Sequence, residues 1–294
     1  MATGKVRFGA SASTAFRRYR SCAASLLLAA TGAAAGVSGK EGVLTSPDGR
    51  IVASVTVNGE GRLTHSVSMD GRVALEPSPL GITVDGRDLG KGGRLGVPKM
   101  REFSESYPFA GNHARVVNNF REAVWPILDA GDGKELMRLE VRAFDDGVAY
   151  RYRLPAAEKR RIAGESSSWT IPAGATVWYQ AGLSYENPYT TATADAIPAG
   201  QVVCLPVTAK LAAGGYVMLT EANLFNYTDL AVKSAGGRRL AAFFHADKDG
   251  FEQSGEGVTP WRVTPSPDCS KPSLSAWKNA ARRRPPADFT ARSV

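Results

Sequence analysis

The chain has 294 residues, of which 43% are hydrophobic and 22% are charged, so its composition is that of ordinary globular material. Its formal net charge is +8, but residues 1–40 carry +6 and residues 268–294 carry +4, which leaves −2 for the body between them. A body near neutrality has no broad basic face that would release phosphate counterions. The charge distribution therefore argues against nucleic acid as a partner.

The first forty residues have the order of an export signal. An arginine-rich stretch at 17–20 precedes an apolar run at 23–30 and then small residues at 33–36. This is the order of charged region, apolar region and cleavage site, and the run is far shorter than the roughly 20 residues of a membrane span. We therefore interpret residues 1–35 as a signal peptide and expect an exported protein, periplasmic or extracellular, with no membrane span. The alternative is an unstructured basic arm.

Short alternating apolar and polar runs dominate the body. They lie at 51–57, 63–69, 139–143, 148–154, 176–180, 202–207, 216–220 and 240–244. A period of two is typical of strands. The runs are separated by dipeptides that tolerate positive φ at hairpin turns, namely Asp48-Gly49, Asn58-Gly59, Asp70-Gly71, Asp85-Gly86, Asp132-Gly133, Asp146-Gly147 and Asp249-Gly250. The sequence therefore predicts an all-β fold.

A single domain over residues 43–262 is the simplest division of this body. A length of about 220 residues favours two large sheets packed face to face over a small barrel. After Trp261 the alternation stops, and residues 263–294 form a basic, proline-rich tail that we expect to be irregular. The tail is either a genuine basic arm or the translation of a shifted reading frame, and its composition favours the second.

Common catalytic and metal-binding patterns are missing from the sequence. The three histidines are far apart and have no paired metal spacing, so we expect half-exposed structural residues; they are His65, His113 and His245. No nucleophile elbow of the type G-x-S-x-G occurs. Cys204 lies in an apolar run and is expected to be a small buried hydrophobe, while Asp145 and Asp146 precede a glycine and are expected to form a turn.

One segment, residues 176–197, has an unusual concentration of aromatic side chains around a single carboxylate. The carboxylate is Glu186, and the aromatic residues are Trp178, Tyr179, Tyr185 and Tyr189. Aromatic faces stack on the apolar side of a sugar ring, and a carboxylate accepts hydrogen bonds from hydroxyls or binds a hard cation such as calcium. A tyrosine-rich loop that closes a sheet edge is the alternative. One carboxylate does not perform glycoside hydrolysis, which ordinarily takes a pair.

Several segments together resemble the N-terminal domain of glycoside hydrolase family 97, a family of bacterial α-glucosidases and α-galactosidases. The resemblance covers about residues 43–262. Its segments, in order, are Ser46-Pro-Asp-Gly-Arg-Ile, Leu75-Glu-Pro-Ser-Pro-Leu-Gly, residues 141–152, Tyr185-Glu-Asn-Pro-Tyr-Thr and Thr259-Pro-Trp-Arg. At residues 118–120 the family usually has Asn-His-Tyr, and Asn119 stands where the histidine is common.

The resemblance implies a β-super-sandwich, similar to the sugar-binding domains of galactose mutarotases, that packs against a catalytic (β/α)8 barrel. The catalytic carboxylates would lie on that barrel, and no catalytic residue is expected in this chain. In the calcium-dependent branch of the family one calcium-binding glutamate comes from the sandwich, and the matching residue is Glu186. Because most calcium ligands would come from the barrel, we expect calcium binding by this chain to be weak or absent.

A barrel needs about 200 residues or more, whereas 33 residues follow Trp261. We therefore expect a truncated, non-catalytic, carbohydrate-binding type of sandwich that does not hydrolyse α-glucosides or α-galactosides by itself. Two alternatives remain open. One is a stand-alone carbohydrate-binding module, and the other is a scaffold without a ligand or a partner for a separately encoded barrel.

Overall fold

The computed structural model describes residues 41–108 and 115–266, and these residues are almost entirely β-strand. The predicted signal peptide and residues 267–294 of the predicted tail lie outside the described residues. Twenty strands and one 3₁₀ turn, Ala194–Ala196, follow each other along the chain. The strands are β1 Glu41–Thr45, β2 Ile51–Val57, β3 Leu63–Met69, β4 Arg72–Pro79, β5 Ile82–Val84, β6 Arg87–Asp88, β7 Gly93–Leu95, β8 Lys99–Pro108, β9 Arg115–Asp129, β10 Glu135–Phe144, β11 Gly147–Glu165, β12 Ser168–Thr170, β13 Thr176–Ala181, β14 Tyr189–Thr193, β15 Val202–Lys210, β16 Tyr216–Ala222, β17 Ala231–Ser234, β18 Arg239–Phe243, β19 Phe251–Val258 and β20 Trp261–Pro265.

The strands form two antiparallel sheets. The first sheet has the order β1-β2-β3-β4-β12-β18-β17-β15-β13-β14. The second has the order β16-β20-β11-β10-β9-β8, and the long strand β11 also pairs with β19 and β5. The two sheets are joined where β15 pairs with β16. The predicted all-β class is confirmed.

One hydrophobic core lies between the two sheets. Alternate residues of β2 (Ile51, Ala53 and Val55) and of β10 (Met137, Leu139, Val141 and Ala143) are buried in it, as a period of two requires. Strands β1 and β2 contact β10 and β11 across this core. The packing is close enough to require a glycine on β1, because a Cβ atom at Gly42 would lie 2.7 Å from the ring of Trp125. This is the arrangement of a two-sheet sandwich.

Two predicted hairpin turns have the expected geometry. Asp70 and Gly71 have φ values of 50° and 74°, and Asp85 and Gly86 have values of 49° and 79°. Positive φ at both central residues matches the right-handed twist of the flanking strands, which explains the Asp-Gly pairs. These turns connect β3 to β4 and β5 to β6, so neighbouring strands pair as predicted.

The last described strand runs further than the sequence predicts. β20 continues through Pro265, three residues past the expected boundary at 262. Val263 and Thr264 pair with Ala149 and Val148 of β11, and both are buried. The proline-rich composition gives no sign of this strand, because the strand is held by pairing with the distant strands β11 and β16. Within residues 41–108 and 115–266, no helix has the length and apolarity needed to cross a membrane.

Candidate functional site

The loop that carries Glu186 connects β13 to β14 at one end of the first sheet. Its backbone is held by Gln180, whose side-chain amide donates to the carbonyl oxygens of Tyr185 at 2.8 Å and Asn187 at 2.7 Å. Asn187 in turn donates from its side chain to the carbonyl oxygen of Ala181 at 2.7 Å. Glu186 itself is exposed to solvent. The loop is therefore a structured support that presents Glu186 outward.

The structure brings only some of the predicted aromatic residues to this loop. Tyr179 is buried in the core, and Trp178 is half-buried and stacks on Tyr216 with ring centroids 6.5 Å apart. The prediction that all four rings surround Glu186 is wrong for Tyr179, which is buried, while Trp178 on the opposite face of β13 stacks on Tyr216. Tyr185 and Tyr189 are 66% and 57% exposed, so they are the aromatic side chains that the loop offers to a ligand.

The calcium prediction requires a larger set of ligands than the described residues place together. Calcium takes six to eight oxygen ligands, and Glu186 supplies two carboxylate oxygens. Among residues 41–108 and 115–266, no group of three or more His, Cys, Asp or Glu side chains has the arrangement of a metal site. The described residues alone do not fit a calcium ion, and Glu186 stays a predicted ligand of a larger site.

A second segment, residues 223–230, precedes β17, which is a neighbour of β15 in the first sheet. Val203 of β15 pairs with Ala181 of β13 on one side and with Val232 of β17 on the other. β13 and β17 therefore flank the same strand. We call the segments 182–188 and 223–230, together with His245, the loop rim.

The loop rim contains a polar pair that the sequence analysis missed. Asp229 Oδ2 lies 3.5 Å from His245 Nδ1, and the two side chains are 36% and 39% exposed. Burial raises the pKa of the Tyr185 hydroxyl, and the charges of Cys204, Asp229 and Glu221 raise it further. The sequence signal for this segment is the run Phe225-Asn-Tyr-Thr-Asp, aromatic and polar residues between two strands, which is similar in kind to residues 185–190.

A buried charge network holds the loop rim from below. Arg262 is completely buried, and its guanidinium donates to Glu165 Oε1 at 2.5 Å and to Glu221 Oε2 at 2.7 Å. Burial would lower the pKa of Arg262, but the charge of Glu165 and its hydrogen bonds raise the pKa instead. The other carboxylate oxygen of Glu221 accepts a hydrogen bond from the backbone N–H of Leu230 at 3.0 Å. The network therefore ties residues 223–230 to the last strand.

The outer face of the second sheet is a contrasting charged surface. Arg142 donates to Glu122 at 2.6 Å, and its guanidinium lies over the rings of Phe120 and Trp261, 4.6 Å and 4.4 Å from their centroids. Glu140 accepts hydrogen bonds from two further arginines. Burial alone would raise the pKa of Glu122, but its arginine partners hold that pKa below its usual range. We call this surface the arginine–glutamate face; its charged residues are Arg101, Glu122, Glu140, Arg142, Arg151 and Arg153.

Four other residues discussed in the sequence analysis are buried or hydrogen-bonded within the fold. His65 is buried, so its predicted half-exposure is wrong; its Nε2 lies 3.0 Å from the carbonyl oxygen of Ser168, and burial lowers its pKa to about 4. Cys204 is buried with a free thiol, as predicted. Asp145 lies in the predicted turn and accepts a hydrogen bond from the backbone N–H of Asp48 at 2.9 Å. Asn119 accepts a hydrogen bond from the Ser104 hydroxyl at 2.7 Å.

Two of the predicted histidines remain. His245 is half-exposed, as predicted, and belongs to the loop rim. His113 lies outside the described residues.

The described residues form a large antiparallel β-sandwich, and exposed aromatic and acidic side chains, among them Tyr185 and Glu186, lie on its loops. The family profile described as "Glycosyl-hydrolase 97 N-terminal" matches residues 44–266. The chain belongs to glycoside hydrolase family 97, through the N-terminal domain of that family.

Two curated relatives are similar to part of this chain. A probable retaining alpha-galactosidase of Streptomyces bingchenggensis is 36% identical over 184 residues, which are 61% of this chain and 27% of that protein. A retaining alpha-galactosidase of Bacteroides thetaiotaomicron is 27% identical over 221 residues, which are 70% of this chain and 32% of that protein. The chain therefore spans about a third or less of the length of these relatives.

Solved structures share the fold. A glycoside hydrolase family 97 enzyme from Pseudoalteromonas sp. strain K8, in complex with acarbose, superposes with a TM-score of 0.71 at 19% identity, covering 77% of this chain and 36% of that one. A beta-arabinopyranosidase gives a TM-score of 0.69 at 21% identity, covering 77% of this chain and 40% of that one. At these identities the likeness supports the sandwich fold alone.

Proposed function

We propose that residues 44–266 act as the carbohydrate-contacting, non-catalytic sandwich of an exported α-glycosidase. The observation that carries the proposal is the match of this region to the N-terminal family profile, together with its similarity to two α-galactosidases of which it spans about a third. The exposed Tyr185 and Glu186 of the loop rim supply a ring face and a carboxylate for sugar hydroxyls. The predicted signal peptide at residues 1–35 supports export to the periplasm or the medium.

The pairing of the buried carboxylates with arginines supports a non-catalytic role. Glycoside hydrolysis uses two carboxyl groups that flank the bond, one of which takes and returns a proton. Each of Glu122, Glu140, Glu165 and Glu221 is instead bonded to at least one arginine. The arginine partners of Glu122 and Glu140 hold the pKa of each carboxyl below its usual range, so neither is a ready proton donor.

The test of the non-catalytic role is an activity assay on the purified chain with aryl α-galactosides and aryl α-glucosides. We expect no turnover above a mock preparation from cells that carry the empty vector. Turnover that follows the protein through every purification step contradicts the proposal.

The same proposal includes a calcium ion. In a complete enzyme this ion would be bound jointly by Glu186 and by groups from other parts of the enzyme. Glu186 would supply carboxylate oxygens and the remaining ligands would come from outside residues 44–266. The isolated chain should therefore show no micromolar calcium affinity by titration calorimetry. Such affinity, if lost in Glu186→Gln, contradicts the division of ligands that we propose.

A second candidate function is docking to a catalytic barrel. Five large apolar or aromatic side chains of the loop rim and its flank are exposed, namely Leu183, Tyr185, Tyr189, Leu224 and Phe225. A concentration of such side chains at one end of a domain is typical of an interaction surface. A pull-down with a family 97 barrel tests this candidate, with Phe225→Ser as the variant expected to weaken capture.

A further inference from the structure

We propose that β8 pairs edge to edge with β8 of a second copy of this chain, and that the two strands run antiparallel around a two-fold axis at Phe103. The inference concerns the edge of the second sheet, a different surface from the loop rim. It does not depend on the proposed function.

β8 is the outermost strand of its part of the second sheet. All ten of its residues pair with β9, from Lys99 opposite Val124 to Pro108 opposite Arg115, and β9 is its one strand partner in the described part of the chain. Nine of the ten residues are exposed. The backbone groups of β8 that point away from β9 therefore lie at the open edge of the sheet, where a further strand can pair.

β8 has few of the features that keep sheet edges from pairing. Natural edge strands are shortened, interrupted by proline or twisted by bulges. β8 has ten residues, against five in each of β1 and β14, the terminal strands of the first sheet. Its register with β9 runs without a shift, and its proline, Pro108, is the last residue. The edge is therefore long and regular enough to accept a strand.

The charges of β8 are divided between its two halves. Lys99 and Arg101 lie towards its start, and Glu102 and Glu105 lie towards its end. A parallel copy in register would place like charges opposite each other, which is destabilising. An antiparallel copy avoids this, and a two-fold axis perpendicular to the sheet gives that direction. The order of the charges therefore favours antiparallel pairing with a second copy.

One antiparallel register pairs opposite charges. With Phe103 opposite Phe103 of the second copy, Arg101 lies opposite Glu105 of the second copy, and symmetry makes this pair twice. An axis at Glu102 would place two glutamates opposite each other, and an axis at Ser104 would separate Arg101 from Glu105. Opposite charges directly across an antiparallel pair stabilise it. The register with its axis at Phe103 is therefore the favoured one.

Both side chains of the charged pair have capacity for this contact. Arg101 is 54% exposed although it donates to Glu122, and a guanidinium has further N–H donors. Glu105 is exposed and accepts a hydrogen bond from the side-chain amide of Asn118 at 2.8 Å. A carboxylate has about four acceptor positions, so Glu105 can accept from a second group as well.

The aromatic residue at the proposed axis is the end of a row of rings. Phe103 stacks on Phe120 with ring centroids 5.1 Å apart, and the centroids of Phe120 and Phe144 are 5.2 Å apart. Phe120 and Phe144 are buried, whereas Phe103 is 37% exposed. Side chains directly opposite in an antiparallel pair have Cβ atoms about 4.5–5.5 Å apart. A second Phe103 across the axis would therefore continue the row and cover the exposed ring.

The experiment is sedimentation analysis of the purified chain from about 1 to 200 µM, with hydrogen exchange of residues 99–108 measured at both ends of this range. Glu105→Lys is the test variant. Glu60→Lys is the matched control, because Glu60 is an exposed glutamate in the turn between β2 and β3. Circular dichroism checks that both variants are folded.

Oxidative cross-linking of two cysteine variants tests the register. Phe103→Cys places the two thiols opposite each other at the axis. Met100→Cys is the control, because Met100 is exposed on the same strand and its two copies would lie about 20 Å apart in this register. The wild type, which has the buried free thiol of Cys204, gives the background.

We expect the wild type and Glu60→Lys to form a dimer with a micromolar dissociation constant, and Glu105→Lys to weaken it by about tenfold or more. The amides of residues 99–108 in the wild type should exchange more slowly at the higher concentration, and Phe103→Cys should cross-link far more than Met100→Cys. A wild type that stays monomeric overturns the inference, and protected β8 amides in that monomer would mean that another segment of the chain covers the edge. A dimer that Glu105→Lys leaves within about twofold, or equal cross-linking of the two cysteine variants, also overturns it.

Discussion

The arginine–glutamate face and the loop rim contain similar residue types and differ in how completely those residues are paired. On the face, Arg142 contacts two aromatic rings and also donates a hydrogen bond to Glu122, so its guanidinium is paired both with rings and with a carboxylate. On the rim, Tyr185 and Phe225 leave most of their ring surface in solvent, and Asp229 keeps spare acceptor positions. The two regions therefore differ in how much ring surface and hydrogen-bonding capacity they leave exposed to solvent.

The largest expected effect concerns the network beneath the rim. Arg262→Met leaves Glu165 and Glu221 buried without their cation, and removal of one partner of a buried ion pair costs about 3–5 kcal/mol. We expect a loss of that size in the free energy of unfolding, measured by urea denaturation. Arg239→Met is the matched control, since Arg239 is an exposed residue of β18. A loss below about 1 kcal/mol for Arg262→Met would show that the network does not support the rim.

The second expected effect is a pH dependence of the free energy of unfolding. It arises from His65, which is buried in the interior and belongs neither to the arginine–glutamate face nor to the loop rim. The folded pKa of His65 is about 4, against 6.5 for an ordinary histidine, so the unfolded chain binds the extra proton between these values. The stabilisation is fully present above pH 6.5 and is lost as the pH falls towards 4, which amounts to about 3 kcal/mol.

Urea denaturation at several pH values measures this effect. The difference between wild type and His65→Gln cancels the contributions of carboxylates that titrate in both proteins. We expect the wild type to have the steeper decline between pH 6.5 and 4. Equal slopes for the two proteins would mean that His65 is solvated in the folded state.

The third effect tests whether the arginine–glutamate face contributes to stability. Arg142→Met removes a hydrogen bond to Glu122 and two ring contacts, while Glu122 keeps Arg101 as a partner. We expect a loss of about 1–3 kcal/mol in a thermal or urea melt. Arg138→Met, on the same strand but with a more exposed arginine, should change stability by less than about 0.5 kcal/mol. Similar losses in the two variants would contradict the special role of the paired face.

The smallest expected effect on stability is on the rim itself. Asp229→Asn alters a half-exposed contact with His245 and should change the free energy of unfolding by less than about 0.5 kcal/mol. A large destabilisation would instead show that Asp229 stabilises the fold, as the paired residues of the arginine–glutamate face are expected to do.

The sequence predicts the parts of this structure that depend on local pattern. Alternation identifies the strands, and Asp70-Gly71 and Asp85-Gly86 identify hairpin turns. The same alternation, if applied to residues 178 and 179, would have separated Trp178 from Tyr179. The pairing of Arg262 with Glu165 and Glu221 joins residues 97 and 41 positions apart in sequence, and no local pattern predicts it. The contact of Asp229 with His245 is likewise set by the pairing of β17 with β18.

The position of Arg262 in the last described strand has a consequence for the order in which the domain is completed during synthesis. β20 lies between β11 and β16 and supplies the cation for carboxylates on both. Until residues 261–265 leave the ribosome, β11 and β16 lack their common neighbour, and Glu165 and Glu221 have to stay hydrated. The final closure of the sandwich therefore awaits the end of the domain, and a nascent chain that stops before Trp261 should remain accessible to proteases and chaperones.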